Sequence, residues 1–171
     1  AMTFSRADLF ARFDELGIRT ETTEHAAAFT VEQSRRERGE LPGGHTKNLF
    51  LKDKKGRIFL VTARERARID LKRLHEAIGA SGRLSFASAD LLMQTLGVTP
   101  GSVTCLAVIN DVEGRVRLVL DAGLMDEATI YGHPLENTAT TAIARDDLLR
   151  FLRASGHDPL IVALPEPPES A

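Results

Sequence analysis

The feature that most constrains this chain is the segment from Gly43 to Thr62. A glycine pair, Gly43-Gly44, leads into His45-Thr46-Lys47-Asn48-Leu49-Phe50-Leu51-Lys52, then a charged turn, Asp53-Lys54-Lys55-Gly56, then Arg57-Ile58-Phe59-Leu60-Val61-Thr62. The first run alternates Asn48, Phe50 and Lys52 against Leu49 and Leu51, and the second is nearly all apolar. Two such runs across a turn predict a hairpin with one strand deep in a sheet. Lys47 falls where a flexible glycine loop hands over to a rigid strand, a good place to hold one positive charge toward an anionic ligand. The same pattern also fits a solvated lysine flanking a strand.

The chain has 171 residues, enough for one domain with a sizeable core, and its 43% hydrophobic and 27% charged content is ordinary for a globular protein. Net charge is -2, with a pI near 6.2, so no global basic field exists and any nucleic acid would be met by a local patch. A single cysteine, Cys105, excludes an internal disulfide framework and a cysteine-based zinc cluster. No apolar run approaches the ~20 residues of a membrane span, and no secretory stretch opens the chain, so a cytoplasmic location is expected.

Around the hairpin, strands and helices interleave without a regular strand-helix-strand rhythm. Ser5 and Asp8 form a helix cap ahead of Leu9, Phe10, Phe13 and Leu16, with Gly17 as the stop. Ile18 to Glu24 reads as a short strand, and Thr30 caps a short helix through Arg38 that carries Arg35-Arg36-Glu37-Arg38. That charge cluster fits a solvated helix face or a phosphate backbone. A helix is expected from Asp70 to Gly79, a short strand at Leu84 to Phe86, and a helix capped by Ser88 and stopped by Gly97. Further strands are expected at Leu106 to Ile109, Val116 to Leu120, Ala128 to Tyr131, Thr138 to Ile143 and Leu160 to Leu164, with a loop or bulge at Gly123 to Met125 and a helix from Arg145 to Ala154. This predicts a mixed α/β (α+β) domain over residues 1–164, followed by a proline- and glutamate-rich tail, 165–171, expected to be disordered.

Three loops are rich in small and polar residues and adjoin predicted strands: Gly43 to Asn48, Gly97 to Thr104, and Tyr131 to Thr138. Gly97 and Gly101 flank Pro100, which lets backbone N–H groups approach a carbonyl or phosphate oxygen, and Ser102 adds a hydroxyl. His133, between Gly132 and Pro134, has a restricted backbone and could orient a substrate or a water, or simply occupy a turn. His25, His45, His75 and His157 have no zincin spacing, so no metal site is expected. No Gly-x-Ser-x-Gly elbow and no nucleotide glycine fingerprint is present, and Cys105 reads as a buried small hydrophobe. Composition and spacing thus reach a small-ligand or nucleotide-end pocket built by three loops.

In this order the loops resemble the YbaK/ProX family of aminoacyl-tRNA deacylases, free-standing relatives of the editing domain of bacterial prolyl-tRNA synthetases. The matching segments are Gly44-His45-Thr46-Lys47-Asn48-Leu49-Phe50-Leu51-Lys52-Asp53, Gly97-Val98-Thr99-Pro100-Gly101-Ser102-Val103-Thr104, and Gly132-His133-Pro134-Leu135-Glu136-Asn137-Thr138-Ala139-Thr140-Thr141, with Phe151 to Pro159 at the end. The resemblance extends over roughly Ser5 to Leu164 and points to the ProX branch, which removes alanine wrongly attached to proline tRNA. It implies a compact domain with a curved mixed sheet and helices outside. Cys105 departs from the pattern, since relatives are expected to carry proline there.

The resemblance also implies roles. Lys47 would anchor the terminal phosphate or adenosine of the acceptor end, with Asn48 beside it. Gly101 and Ser102, next to Pro100, would hold the ester carbonyl and the attacking water, and His133 would line the aminoacyl pocket. Val31, Phe50 and Tyr131 would form the wall that limits side-chain size. An aminoacyl ester is already reactive, so positioning water and polarising the carbonyl suffices without a metal, a cofactor or a covalent intermediate, and the neighbouring ribose hydroxyl can assist proton transfer. The expected partner is the acceptor end of mischarged proline tRNA, delivered alone or by prolyl-tRNA synthetase or an elongation factor, with no DNA and no membrane. Other readings are the same fold clearing serine or cysteine, and a non-catalytic tRNA or nucleotide binder.

Overall fold

The hairpin is the centre of the molecule. In the computed structural model, which describes residues 3–27 and 43–169, β2 (Gly44–Lys52) and β3 (Ile58–Arg64) pair antiparallel from Thr46↔Arg64 to Lys52↔Ile58. β3 is buried at every position from Ile58 to Ala63. Its alternate side chains enter different cores: Ile58 and Leu60 join one apolar cluster, Phe59 and Val61 another. A strand apolar on both faces needs cover on both, and that requirement builds the rest of the fold.

The sheet has eight strands in the order β1-β7-β6-β2-β3-β5-β8, with β4 (Ser85–Phe86) set against the end of β2. β1 (Thr20–Glu24), β7 (Ala139–Ala144) and β6 (Thr129–Gly132) are antiparallel neighbours. β6 joins β2 in parallel, and β5 (Val116–Asp121) and β8 (Leu160–Val162) continue in parallel beyond β3. The mixed sheet expected from the irregular rhythm is therefore present.

The larger core lies under α1 (Arg6–Glu15), α3 (Ala89–Leu96) and α4 (Arg145–Ala154). In α1 the Ser5–Asp8 capping box is complete, and Leu9 and Phe13, one turn apart, face inward. Phe13 meets Phe151 of α4 with ring centroids 5.0 Å apart. The smaller core, on the opposite face, sets Leu74 and Ile78 of α2 (Leu74–Ile78) against Leu51, Phe59, Val61 and Val119.

Several expectations need correction. The helix expected from Asp70 begins only at Leu74; Asp70 instead turns the chain, its carboxylate accepting from Lys72 N and its N–H donating to the Pro165 carbonyl. Cys105–Asn110 is a 3-10 helix rather than a strand. Thr104 Oγ1 accepts from Leu106 N at its start, and at its end Asn110 donates to Leu96 O and accepts from Phe4 N. A short all-apolar run buried on every side has no period that separates strand from helix, and here the flanking polar caps decide. Ala122–Asp126, expected as loop or bulge, is a 3-10 turn opened by the Asp121 carboxylate on Gly123 N. Val31 and the helix expected from Thr30 to Arg38 lie outside the described residues.

Candidate active site

The three loops named from the sequence meet at the start of β2. Thr46 Oγ1 donates to the Tyr131 carbonyl at 2.7 Å, and the His45 ring stacks on Tyr131 at 4.3 Å. Gly43 stands so close to Tyr131 that a Cβ would fall 2.4 Å from the ring, and its φ of +136° is a glycine conformation. At Gly132 a Cβ would lie 3.4 Å from Thr104 Oγ1, so the third loop rests against the second.

Asn48 ties the second loop to the hairpin. Its Nδ2 donates to the Val103 carbonyl at 3.1 Å, and its Oδ1 accepts from Thr62 Oγ1 at 2.6 Å. Pro100–Ser102 forms a 3-10 turn closed by Ser102 N on Thr99 O, and Ser102 is buried. Gly97 does not offer its N–H to a ligand: that group caps α3 on Met93 O, with φ at +66°, and Asn110 and Thr3 crowd its Cβ position.

Lys47 and Asn48 point to opposite faces of β2. Phe50, in step with Asn48, belongs to the larger core, whereas Leu49 and Leu51, in step with Lys47, belong to the smaller one. The half-buried Lys47 extends along that second face and its Nζ donates to the Ala67 carbonyl. Both side chains flank one gap in the sheet. β6 pairs only with Gly44 and His45, and β4 only with Leu51 and Lys52, so between them residues 46–49 have no ladder partner on that side among the described residues. Phe50 is only 6% exposed and belongs to the larger core, against which Val103 of the second loop and Leu135 of the third also pack.

His133 is half-buried, and its Nδ1 donates to the Ala139 carbonyl at 3.0 Å, which presents Nε2 away from that bond. Its loop is held at Leu135 and Glu136. Leu135 adopts a left-handed φ of +71°, uncommon for a side chain that packs against the core. Arg6 bonds Glu136 at 3.3 Å and also Glu24 at the end of β1. His25, 6.4 Å from His133 between ring centroids, bonds Thr140 Oγ1 and the Ala26 carbonyl, both at 2.8 Å.

Sequence reasoning overlooked Thr62, Thr46 and the His25–Thr140 pair. Thr62 had a signal: it is the polar residue in the apolar run of β3. Among the described residues no three His, Cys, Asp or Glu side chains gather as metal ligands would.

The aminoacyl-tRNA editing domain family matches residues 25–151, and the chain belongs to it. Editing an aminoacyl-tRNA removes the amino acid by hydrolysing its ester, which places the chain among the deacylases, a class of hydrolases. The prolyl-tRNA synthetase associated domain-containing protein 1 of Mus musculus is 40% identical over 161 residues, covering 92% of this chain and 95% of that one. The prolyl-tRNA editing protein ProX of Acetoanaerobium sticklandii is 37% identical over 150 residues, 87% and 91% of the two chains. A solved structure described as a candidate trans-editing enzyme for prolyl tRNA synthetase superposes with a TM-score of 0.70 at 17% identity, covering 96% of this chain and all of that one, and bears on the fold alone. The family resemblance and the fold class drawn from the sequence are borne out.

Proposed function

We propose that the protein acts in trans on proline tRNA mischarged with alanine and hydrolyses the ester. The observation that carries this reading is the Asn48 carboxamide, which fastens the Pro100–Val103 turn to β2 one residue from Lys47, beside the gap in the sheet. A terminal adenosine entering that gap would meet Lys47 from one face and the turn from the other. Lys47 then holds the terminal phosphate or the adenosine, while Gly101 and Ser102, stiffened by Pro100, hold the ester carbonyl and the attacking water. His133 and Tyr131 border the aminoacyl side, and Phe50 backs the wall behind it. The ribose hydroxyl next to the ester relays the proton.

Size supports alanine. A pocket can exclude a side chain that is too large, but lost contact rejects one that is too small by only ~1–3 kcal/mol per methylene. An editing site is therefore best built to admit the smaller, wrong amino acid, and the relative named prolyl-tRNA editing protein fits that division of labour. The partner is the acceptor end of the tRNA, brought by diffusion, by the synthetase or by an elongation factor.

The test is deacylation of proline tRNAs charged with alanine, serine, cysteine or proline. Rapid loss of alanine with proline spared is the expected result. Preference for serine or cysteine would move the substrate, and retained tRNA with every ester intact would make the protein a binder.

A further inference from the structure

Thr62 is wholly buried, polar, and part of a strand that is otherwise apolar from Ile58 to Ala63. Its hydrogen bonds have only one consistent direction. The Val103 carbonyl can only accept, so the amide nitrogen of Asn48 must face it and the amide oxygen must face Thr62. The Thr62 hydroxyl proton is thereby committed to Asn48. The chain of donors thus runs from Thr62 through Asn48 to the Val103 carbonyl, from the core outward to the turn at Pro100–Ser102.

We propose that Thr62 is a positioning residue for deacylation: it fixes the Asn48 carboxamide in the one orientation that can suspend the Pro100–Val103 turn beside Lys47. The inference rests on the reading of that turn as the carbonyl- and water-holding element. Asn48 and Thr62 are direct cross-strand partners in the β2–β3 register, so the bond spans no loop and holds the amide against rigid backbone. A valine in place of Thr62 has the same shape but no proton to give, and the amide then loses the partner that sets its direction.

The test compares Thr62→Val and Thr62→Ser on alanine-charged proline tRNA. For Thr62→Val, kcat is expected to fall about tenfold or more, the equivalent of one lost hydrogen bond, while KM moves much less. Thr62→Ser restores most of the rate, and the Asn48 side-chain amide resonances shift in the valine variant but not in the serine variant. A folded Thr62→Val with unchanged kcat, or a serine variant no better than valine, overturns the proposal. Should the valine variant fold poorly, Asn48→Asp carries the test, because it cuts the link to Val103 and leaves β3 untouched; wild-type kcat in that variant also overturns it. Wild-type protein that cleaves no ester would sink the deacylation reading alone, whereas unmoved Asn48 resonances in Thr62→Val would sink the positioning role alone.

Discussion

The imidazole of His157 and the carboxylate of Asp111 meet at 2.8 Å inside the protein, with 5% and 3% of their surfaces exposed. They join the end of α4 to the turn before β5. His157 Nδ1 lies 2.8 Å from the Ser155 carbonyl, which can only accept, and Asp111 also accepts from Arg115 N and Val116 N. Burial disfavours the imidazolium, but the Asp111 hydrogen bond, the Ser155 carbonyl and the Asp111 charge outweigh it, so the pKa of His157 is raised. Burial likewise opposes the carboxylate, yet His157 and the two N–H groups hold the pKa of Asp111 down.

The pair sets a pH window. A histidine with a raised folded pKa contributes fully below its ordinary value of about 6.5, and the contribution is lost as pH climbs through the folded pKa. A depressed aspartate contributes above about 3.9 and loses that as pH falls through its folded pKa. Urea unfolding should therefore give a stability maximum between those limits, with a decline on the alkaline side. His157→Ala should remove that decline and cost about 3–5 kcal/mol at pH 6, the cost of stranding a buried charge. A His157→Ala stability curve parallel to wild type above pH 7 would rule the window out.

Lys47→Ala should separate activity from stability. Lys47 is half-buried and contributes one bond to the Ala67 carbonyl, so its loss should cost about 1 kcal/mol in unfolding free energy. Deacylation of alanine-charged tRNA should nearly vanish in the same variant. Loss of the fold, or a rate near that of wild type, would remove the lysine from the anchoring role.

Cys105 should be inert in the folded protein. It is 4% exposed, and burial pushes its pKa up to about 12. The thiolate is the reactive form, so a thiol reagent at pH 8 should label the native protein only as fast as it unfolds. Labelling that is rapid and independent of denaturant would contradict this burial.

The sequence made the hairpin legible because its signals agree: alternation in β2, a continuous apolar run in β3 and a charged turn between them. It made the helices legible where caps were explicit, as at Ser5, Ser88 and Gly97. It misread Cys105–Asn110, whose burial on all sides erases periodicity, and of the two roles read at Gly97 only the helix stop holds, because its left-handed φ and its N–H serve the end of α3 rather than a ligand. The three candidate loops were visible as polar, small-residue stretches. Their convergence was not, because it depends on strand order: β6 pairs beside β2 although Tyr131 lies 86 positions after His45. The opposed directions of Lys47 and Asn48 follow from strand alternation, but only the two cores show which face each one meets.

His133→Ala should change catalysis or amino-acid preference more than stability. The ring is half-buried and donates to the Ala139 carbonyl, and the loss of that bond should cost about 1 kcal/mol. Its orientation depends on a loop held in a costly conformation, since Leu135 at φ +71° is strained by roughly 1–3 kcal/mol, offset by core packing and by the Arg6–Glu136 bond. Leu135→Gly would relieve that strain but give up the packing that holds the turn, and should blunt the discrimination between alanine and serine esters. Measured as the ratio of kcat/KM for the two esters, His133→Ala and Leu135→Gly should both move it. A ratio unchanged in both would show that the Gly132–Thr138 loop does not border the aminoacyl pocket.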